Sequence, residues 1–446
     1  MLKKLTFSYL SILSLTFSAI AQETNTATPS ADSLNKSILS VKHDLDNLKK
    51  LKVTGWVQAQ FQLADTAGAK NFDGGDFLST STNRFYIRRG RVKFTYNQKN
   101  SQYVLQVNAT ERGVNLVEIF AKVTDPWINS ITLTAGVMNR PFGFEIQQSS
   151  ADRETPERSR FLQILMPNER DLGMMLTYAP PKGHKLFGLK LDAGFYNGTG
   201  IAVPGSTSLN GAGLTEFDKY KDFIGRLSYT KSSKNEKVKF GIGGSHYRGG
   251  YARPNNKNWN AIATDTAGNK TWTLQDASGS GITKLAGKQA PRIYYAGEIQ
   301  LSIVSKIGTT TLRGEYITGV QSGFKDDTKS PSAAPSATLD TYQREFNGAN
   351  VYFIQRLGKS KHEIAVKYEW YDPNTKVSGT EVSSKYGFGR GDIKYTALGL
   401  GYNLYWDQNV KFMFHYNMVT NEKTNISGYT YDLKDNIFTA RVQYRF

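Results

Sequence analysis

The sequence predicts an all-β protein: a transmembrane antiparallel β-barrel of sixteen strands, preceded by a short N-terminal periplasmic helix. Three observations carry this. From Val53 to Phe446 the chain repeats segments of about ten residues in which apolar and polar side chains alternate. The links between these segments alternate between short and long. An apolar run at the N-terminus reads as an export signal, and past it no apolar run approaches the roughly 20 residues of a membrane helix.

In chain order, Lys3 and Lys4 precede an apolar stretch from Leu5 to Ile20 that closes on Ala19-Ile20-Ala21, so residues 1–21 are a signal peptide. Residues 22–50 form a polar linker and a stripe of Leu34, Ile38, Val41, Leu45 and Leu48, spaced alternately four and three apart. That spacing predicts a helix. Its stripe suits packing on a neighbouring surface or a coiled coil, and with about two heptads both readings stay open.

Residues 51–446 form the barrel. In the first strand Val53, Val57, Ala59, Phe61 and Leu63 alternate with Thr54, Gln58, Gln60 and Gln62. The same dyad runs through Tyr103 to Ala109, Val117 to Val123, Ile131 to Val137, Phe187 to Phe195, His362 to Trp370 and Val410 to Met418, and ends in Phe438, Ala440, Val442, Tyr444 and Phe446. Links 97–100, 125–130, 180–185, 231–236, 305–308, 358–361 and 407–409 are short. Most of those between them are long, among them 64–83, 139–170, 247–291, 321–345 and 420–435. Short turns at one rim, long loops at the other and an even strand number describe an outer-membrane barrel. A soluble sandwich has shorter strands and no reason for such parity.

The chain has no cysteine, which removes disulfides, thiolate metal sites and cysteine nucleophiles. Five histidines are scattered with no HExxH and no GxSxG, so no enzyme, metal or cofactor is expected. The formal charge is +18, or +16 without Lys3 and Lys4, at a mean hydropathy of −0.47. A basic exported chain points to anionic solutes or to the phosphates of lipopolysaccharide, and away from nucleic acid.

Two clusters locate that charge. The second strand reads Arg84-Phe85-Tyr86-Ile87-Arg88-Arg89-Gly90-Arg91-Val92-Lys93. With Val92, Phe94 and Tyr96 facing lipid, Arg89, Arg91 and Lys93 face the lumen and Arg88 faces out; a bulge at Gly90 would exchange Arg88 and Arg89. Arginine suits anion recognition because its planar fork donates two hydrogen bonds and its charge is permanent. The third outer loop, 139–170, carries Arg140, Ser149, Ser150, Arg153 and Arg158, and its Phe161, Leu162, Ile164, Leu165 and Met166 predict that it folds into the lumen.

The Arg88-Arg89-Gly90-Arg91 strand, Arg140-Pro141-Phe142-Gly143-Phe144-Glu145, Ser149-Ser150, Pro156-Glu157-Arg158 and Arg170-Asp171-Leu172-Gly173, in this order, resemble the phosphate-selective porin O and P family. The resemblance implies a homotrimer of sixteen-stranded barrels in the bacterial outer membrane, each with an anion-binding constriction between the third loop and the arginine strand. The family's paired arginines fall on Arg88 and Arg89 and its loop serines on Ser149 and Ser150. Two positions depart: Ile146 stands where the family carries a loop lysine, and Asn108 where it carries an aspartate. The expected function is passive diffusion of small anions, phosphate or polyphosphate among them, past Arg88, Arg89, Arg91, Lys93, Arg140, Ser149, Ser150, Arg153 and Arg158. A general or carbohydrate-type channel and a structural or adhesive barrel are the alternatives.

Overall fold

The computed structural model describes residues 31–200 and 216–446, so the signal segment lies outside the described residues. The chain divides into two units, up to Lys49 and from Lys50 onward. The first contains one helix, Ala31–Leu48, on which Ile38, Val41, Leu45 and Leu48 are all exposed.

The second unit is a single antiparallel sheet closed on itself. Sixteen strands make the wall: Leu51–Ala64, Asn83–Asn97, Ser101–Thr110, Gly113–Thr124, Ile131–Asn139, Arg170–Tyr178, Leu189–Tyr196, Asp222–Ser232, Val238–Ala252, Gln289–Ser305, Gly308–Gly323, Thr341–Leu357, His362–Asp372, Tyr395–Tyr405, Val410–Asn421 and Ile437–Arg445. Two more, Lys257–Thr264 and Lys270–Asp276, pair as a hairpin within the long link after the ninth strand. The last strand pairs with the first, from Trp56 opposite Arg445 to Ala64 opposite Ile437, and Gly55 and Phe446 exchange two backbone hydrogen bonds of 3.0 Å. Closure leaves no unpaired edge, which a lipid environment without hydrogen-bonding water requires.

The two faces are reversed relative to a water-soluble fold. Leu105, Leu133, Leu176, Ile299 and Val351 stand exposed on the outer wall, while Gln58, Gln60 and Gln62 are buried within. Alternation breaks at two bulges. Gln58 faces Arg89 but Ala59 faces Ile87, so Arg88 is an extra residue in the second strand. The expected choice between Arg88 and Arg89 is therefore replaced: the bulge lies at Arg88, two residues before Gly90, and both guanidiniums reach the same inward carboxylate. A guanidinium on the lipid face would cost about 2–4 kcal/mol at mid-membrane, and the bulge avoids it. Gly90 permits it, because a Cβ there would sit 2.1 Å from the Ala109 carbonyl oxygen. The second bulge, at Val117, turns that side chain inward beside Glu118 rather than outward with Ile119.

Candidate functional site

The third loop leaves the fifth strand at Asn139 and lies against lumen-facing side chains. Gly143 adopts φ +55°, and a Cβ there would fall 2.0 Å from Glu315 Oε1, so only glycine lets the loop start turn this tightly. The turn aims three backbone amides at the wall: Gly143 donates to Ser245 Oγ (3.0 Å), and Phe144 and Glu145 to Glu315 Oε2 (3.2 and 3.3 Å). Beyond it, Phe142, Ile146, Phe161, Leu162, Leu165 and Met166 pack against wall residues Tyr294, Ile317, Phe346 and Tyr371. Each such burial is worth about 1.5–3 kcal/mol, enough together to hold a loop of this length in one place.

Polar contacts run from the loop to both ends of the sheet. Gln58 Nε2 donates to Ser150 O (2.9 Å), Gln443 Nε2 to Ala151 O (3.0 Å), Lys411 Nζ to Arg153 O (2.8 Å) and Asn403 Nδ2 to Glu154 O (2.9 Å). Glu145 accepts from Tyr352 and from Asn350 Nδ2 (3.1 Å). At the centre is Glu157. Arg88 Nε (2.9 Å), Arg89 Nη2 (2.6 Å) and Arg441 Nη2 (3.1 Å) all donate to its carboxylate, and Arg153 Nη1 is 3.8 Å away. One carboxylate thus organises four arginines.

The expected site residues fall into two groups. Arg140 is buried and paired with Asp171 (3.0 Å). Arg158 donates to the backbone oxygens of Glu145, Ile146 and Gln148 and pairs with Glu169, so it staples the loop to itself. Arg153 is buried, with Nε and Nη1 making no hydrogen bond among the described residues. Ser149 Oγ accepts its own loop's Ala151 N–H (3.3 Å), and Ser150 Oγ is buried with no hydrogen-bond partner among the described residues. Together with Arg88 and Arg89 these line or fill the packed side.

Arg91 and Lys93 belong to a second, more open flank. Lys93 pairs with Glu118 (3.1 Å), which Arg170 also holds (3.0 Å). Arg91 has no carboxylate partner among the described residues; its guanidinium lies 5.9 Å from the Trp56 ring centroid. Toward the short-turn rim this flank opens into a cavity of about 450 Å³ lined by Lys99, Lys122 and Lys190. Lys190 pairs with Asp192 (2.7 Å), whereas Lys122 lies over the Phe120 ring at 5.2 Å.

Reading the strand pattern missed the first long link. Residues 65–82 also dip inward: Gln62 donates to Asp73 O (2.7 Å), Asn417 Nδ2 to Asp73 Oδ2 (2.7 Å) and Gln163 to Phe72 O (3.0 Å). Burial pushes the Asp73 carboxyl up to about 6, with Asn417 opposing. The two departures have structural roles of their own. Ile146 is fully buried in the loop core, and Asn108 Oδ1 accepts the Gly90 N–H (3.1 Å), bracing the bulged strand.

A closed barrel of sixteen strands with an inward third loop is a porin architecture, and a family profile described as "Phosphate-selective porin O and P" matches residues 57–446. The chain belongs to this family. Among solved structures, the porin is similar to OprB of Pseudomonas putida, with TM-score 0.55 at 9% identity, covering 91% of this chain and 96% of that one. It also resembles the outer-membrane channel DcaP of Acinetobacter baumannii (TM-score 0.48, 12% identity, 89% and 97% covered) and OmpF of Salmonella typhi (0.48, 13%, 89% and 97%). No curated protein sequence matches the chain. The protein is an outer-membrane porin of a bacterium, a channel whose wall is the barrel described above.

Proposed function

We propose that this porin gives passive passage to small anions along the flank lined by Arg91, Lys93, Lys122 and Lys190, and that it works as a homotrimer. The observation that carries the reading is charge imbalance inside the barrel. Among the described residues Arg88, Arg89, Lys93, Arg153, Arg158, Arg170 and Arg441 share the carboxylates of Glu118, Glu157 and Glu169, and Arg91 has none. Arg91 and Lys122 stay without a carboxylate within 4.0 Å among the described residues, so their fields remain available to a passing ion.

Selective passage needs several weak sites in series so that the ion leaves again, and a spaced row of cations supplies them. With Ile146 buried in place of a loop lysine, the reading is a preference for anions as a class, phosphate included. The unpartnered stripe of Ile38, Val41, Leu45 and Leu48 supports self-association. In planar bilayers under a KCl gradient, the reversal potential is expected to report anion preference, reduced about threefold or more in Arg91→Gln with Lys122→Gln. Cation preference in the unaltered protein would sink the proposal.

A further inference from the structure

We propose that the outer vestibule contains a binding site for a small organic anion whose body carries hydroxyl donors, of the sugar-phosphate class, held between Arg160 and Asp435. This rests on the anion-channel reading above and names a solute class for it. The vestibule cavity measures about 750 Å³, within the range of small-molecule sites and far larger than an inorganic oxyanion needs.

Most of its cations are already neutralised: Arg88 and Arg89 by Glu157, Arg158 by Glu169, Lys70 by Asp76 and Arg390 by Asp326. Arg160 and Lys329 are the lining cations left without a carboxylate partner among the described residues. The guanidinium of Arg160 is fixed by the rings of Tyr395 (3.3 Å to the centroid) and Phe72 (4.5 Å), and its buried Nε has no hydrogen-bond partner among the described residues. Such clamping orients the fork without neutralising it.

Asp435 lines the same cavity, is 5% exposed, and its Oδ1 has no hydrogen-bond partner among the described residues. Among the described residues it forms no ion pair with Arg160 within 4.0 Å, so a guanidinium with an unsatisfied Nε and a carboxylate with an unsatisfied Oδ1 share one chamber. A bare phosphate there gains at Arg160 and is repelled by Asp435. A phosphate attached to a hydroxyl-bearing body gains at both, because hydroxyls donate to the carboxylate while the phosphate accepts from the guanidinium. The ring of Tyr429, which lines the same cavity, offers a flat apolar surface along which a sugar lies.

The test compares inorganic phosphate with glucose 6-phosphate, of similar charge, as blockers of KCl current through single channels at neutral pH. Glucose 6-phosphate is expected to block at about tenfold lower concentration. Arg160→Gln is expected to abolish that advantage, and Asp435→Asn to shrink it while leaving phosphate block as strong or stronger. Arg160→Lys, which keeps the charge and loses the fork, should fall between. Equal block by the two solutes, or an advantage that survives Arg160→Gln, overturns the site. Reversal potentials taken on the same channels separate the failures: retained anion preference with no sugar-phosphate advantage removes this inference alone, and cation preference removes the channel reading beneath it.

Discussion

The two sides of the lumen carry the same sign of charge and use it differently. On the packed side Arg89, Arg140, Arg153 and Arg158 are all buried, and all but Arg153 donate to a carboxylate or to loop carbonyl oxygens. On the open flank Arg91, Lys93, Lys122 and Lys190 are partly exposed, and two of the four have no carboxylate partner among the described residues. A tally of inward cations therefore overstates what a solute meets. The packed arginines hold the third loop in place, and in the function proposed above the open flank supplies the field.

If that division is right, damage to the packed side should appear first as loss of structure. Glu157→Gln leaves Arg89 and Arg441 buried, and Arg88 half-buried, around a neutral amide. Removing one partner of a buried pair costs about 3–5 kcal/mol, so the loop should detach, the thermal unfolding midpoint fall, and trypsin reach Arg153 and Arg158. A loop that stays protease-resistant in this variant would break the comparison. Ile146→Lys restores the residue type the family carries at that position, yet here it should act as a core defect. The side chain is fully buried among Phe142, Phe161 and Leu165, and its loss forfeits about 1.5–3 kcal/mol of burial. Higher conductance and a less stable loop are the expected outcome. Unchanged conductance with tighter phosphate block would instead show that position 146 reaches the lumen.

The barrel was legible in the sequence because period-two alternation and loop-length parity are local and repeat along the chain. The sequence-predicted orientation of Arg88 and Arg89 failed because a bulge adds one residue without changing composition; the pattern pointed to Gly90, and the extra residue is Arg88. Pairings across the lumen were beyond reach for a different reason. Glu157 meets Arg88 and Arg441 only after the sheet closes, and no spacing rule links a loop carboxylate to the last strand. The inward dip of Phe72 and Asp73 left no periodic trace, and neither did the meeting of Arg160 with Asp435 in one chamber. The hairpin of Lys257–Thr264 and Lys270–Asp276 lies within the long link 247–291, and its pairing left no signal in the sequence.

The smallest expected effect concerns protons. Asp73 and Asp435 both lie in long outer links, and burial pushes each carboxyl up to about 6, against Asn417 and Lys367 for the first and Arg160 for the second. Neighbouring acids, Glu369 and Glu157 near Asp73 and Asp432 and Asp65 near Asp435, act in the same upward direction. Both groups are mostly ionised at pH 7 and mostly neutral at pH 5. A carboxyl raised above its unfolded value binds its proton more readily in the folded state, so these two favour folding more as pH falls toward that value, and the barrel should not loosen over this interval on their account. Anion preference should rise by about twofold or less between pH 7 and pH 5, because two negative charges leave the outer side while the guanidinium of Arg91 and the ammonium of Lys122 keep theirs. Asp73→Asn with Asp435→Asn should remove the rise. A rise of equal size in the double variant would place the titrating group on the open flank, and the division of labour across the lumen would have to be redrawn.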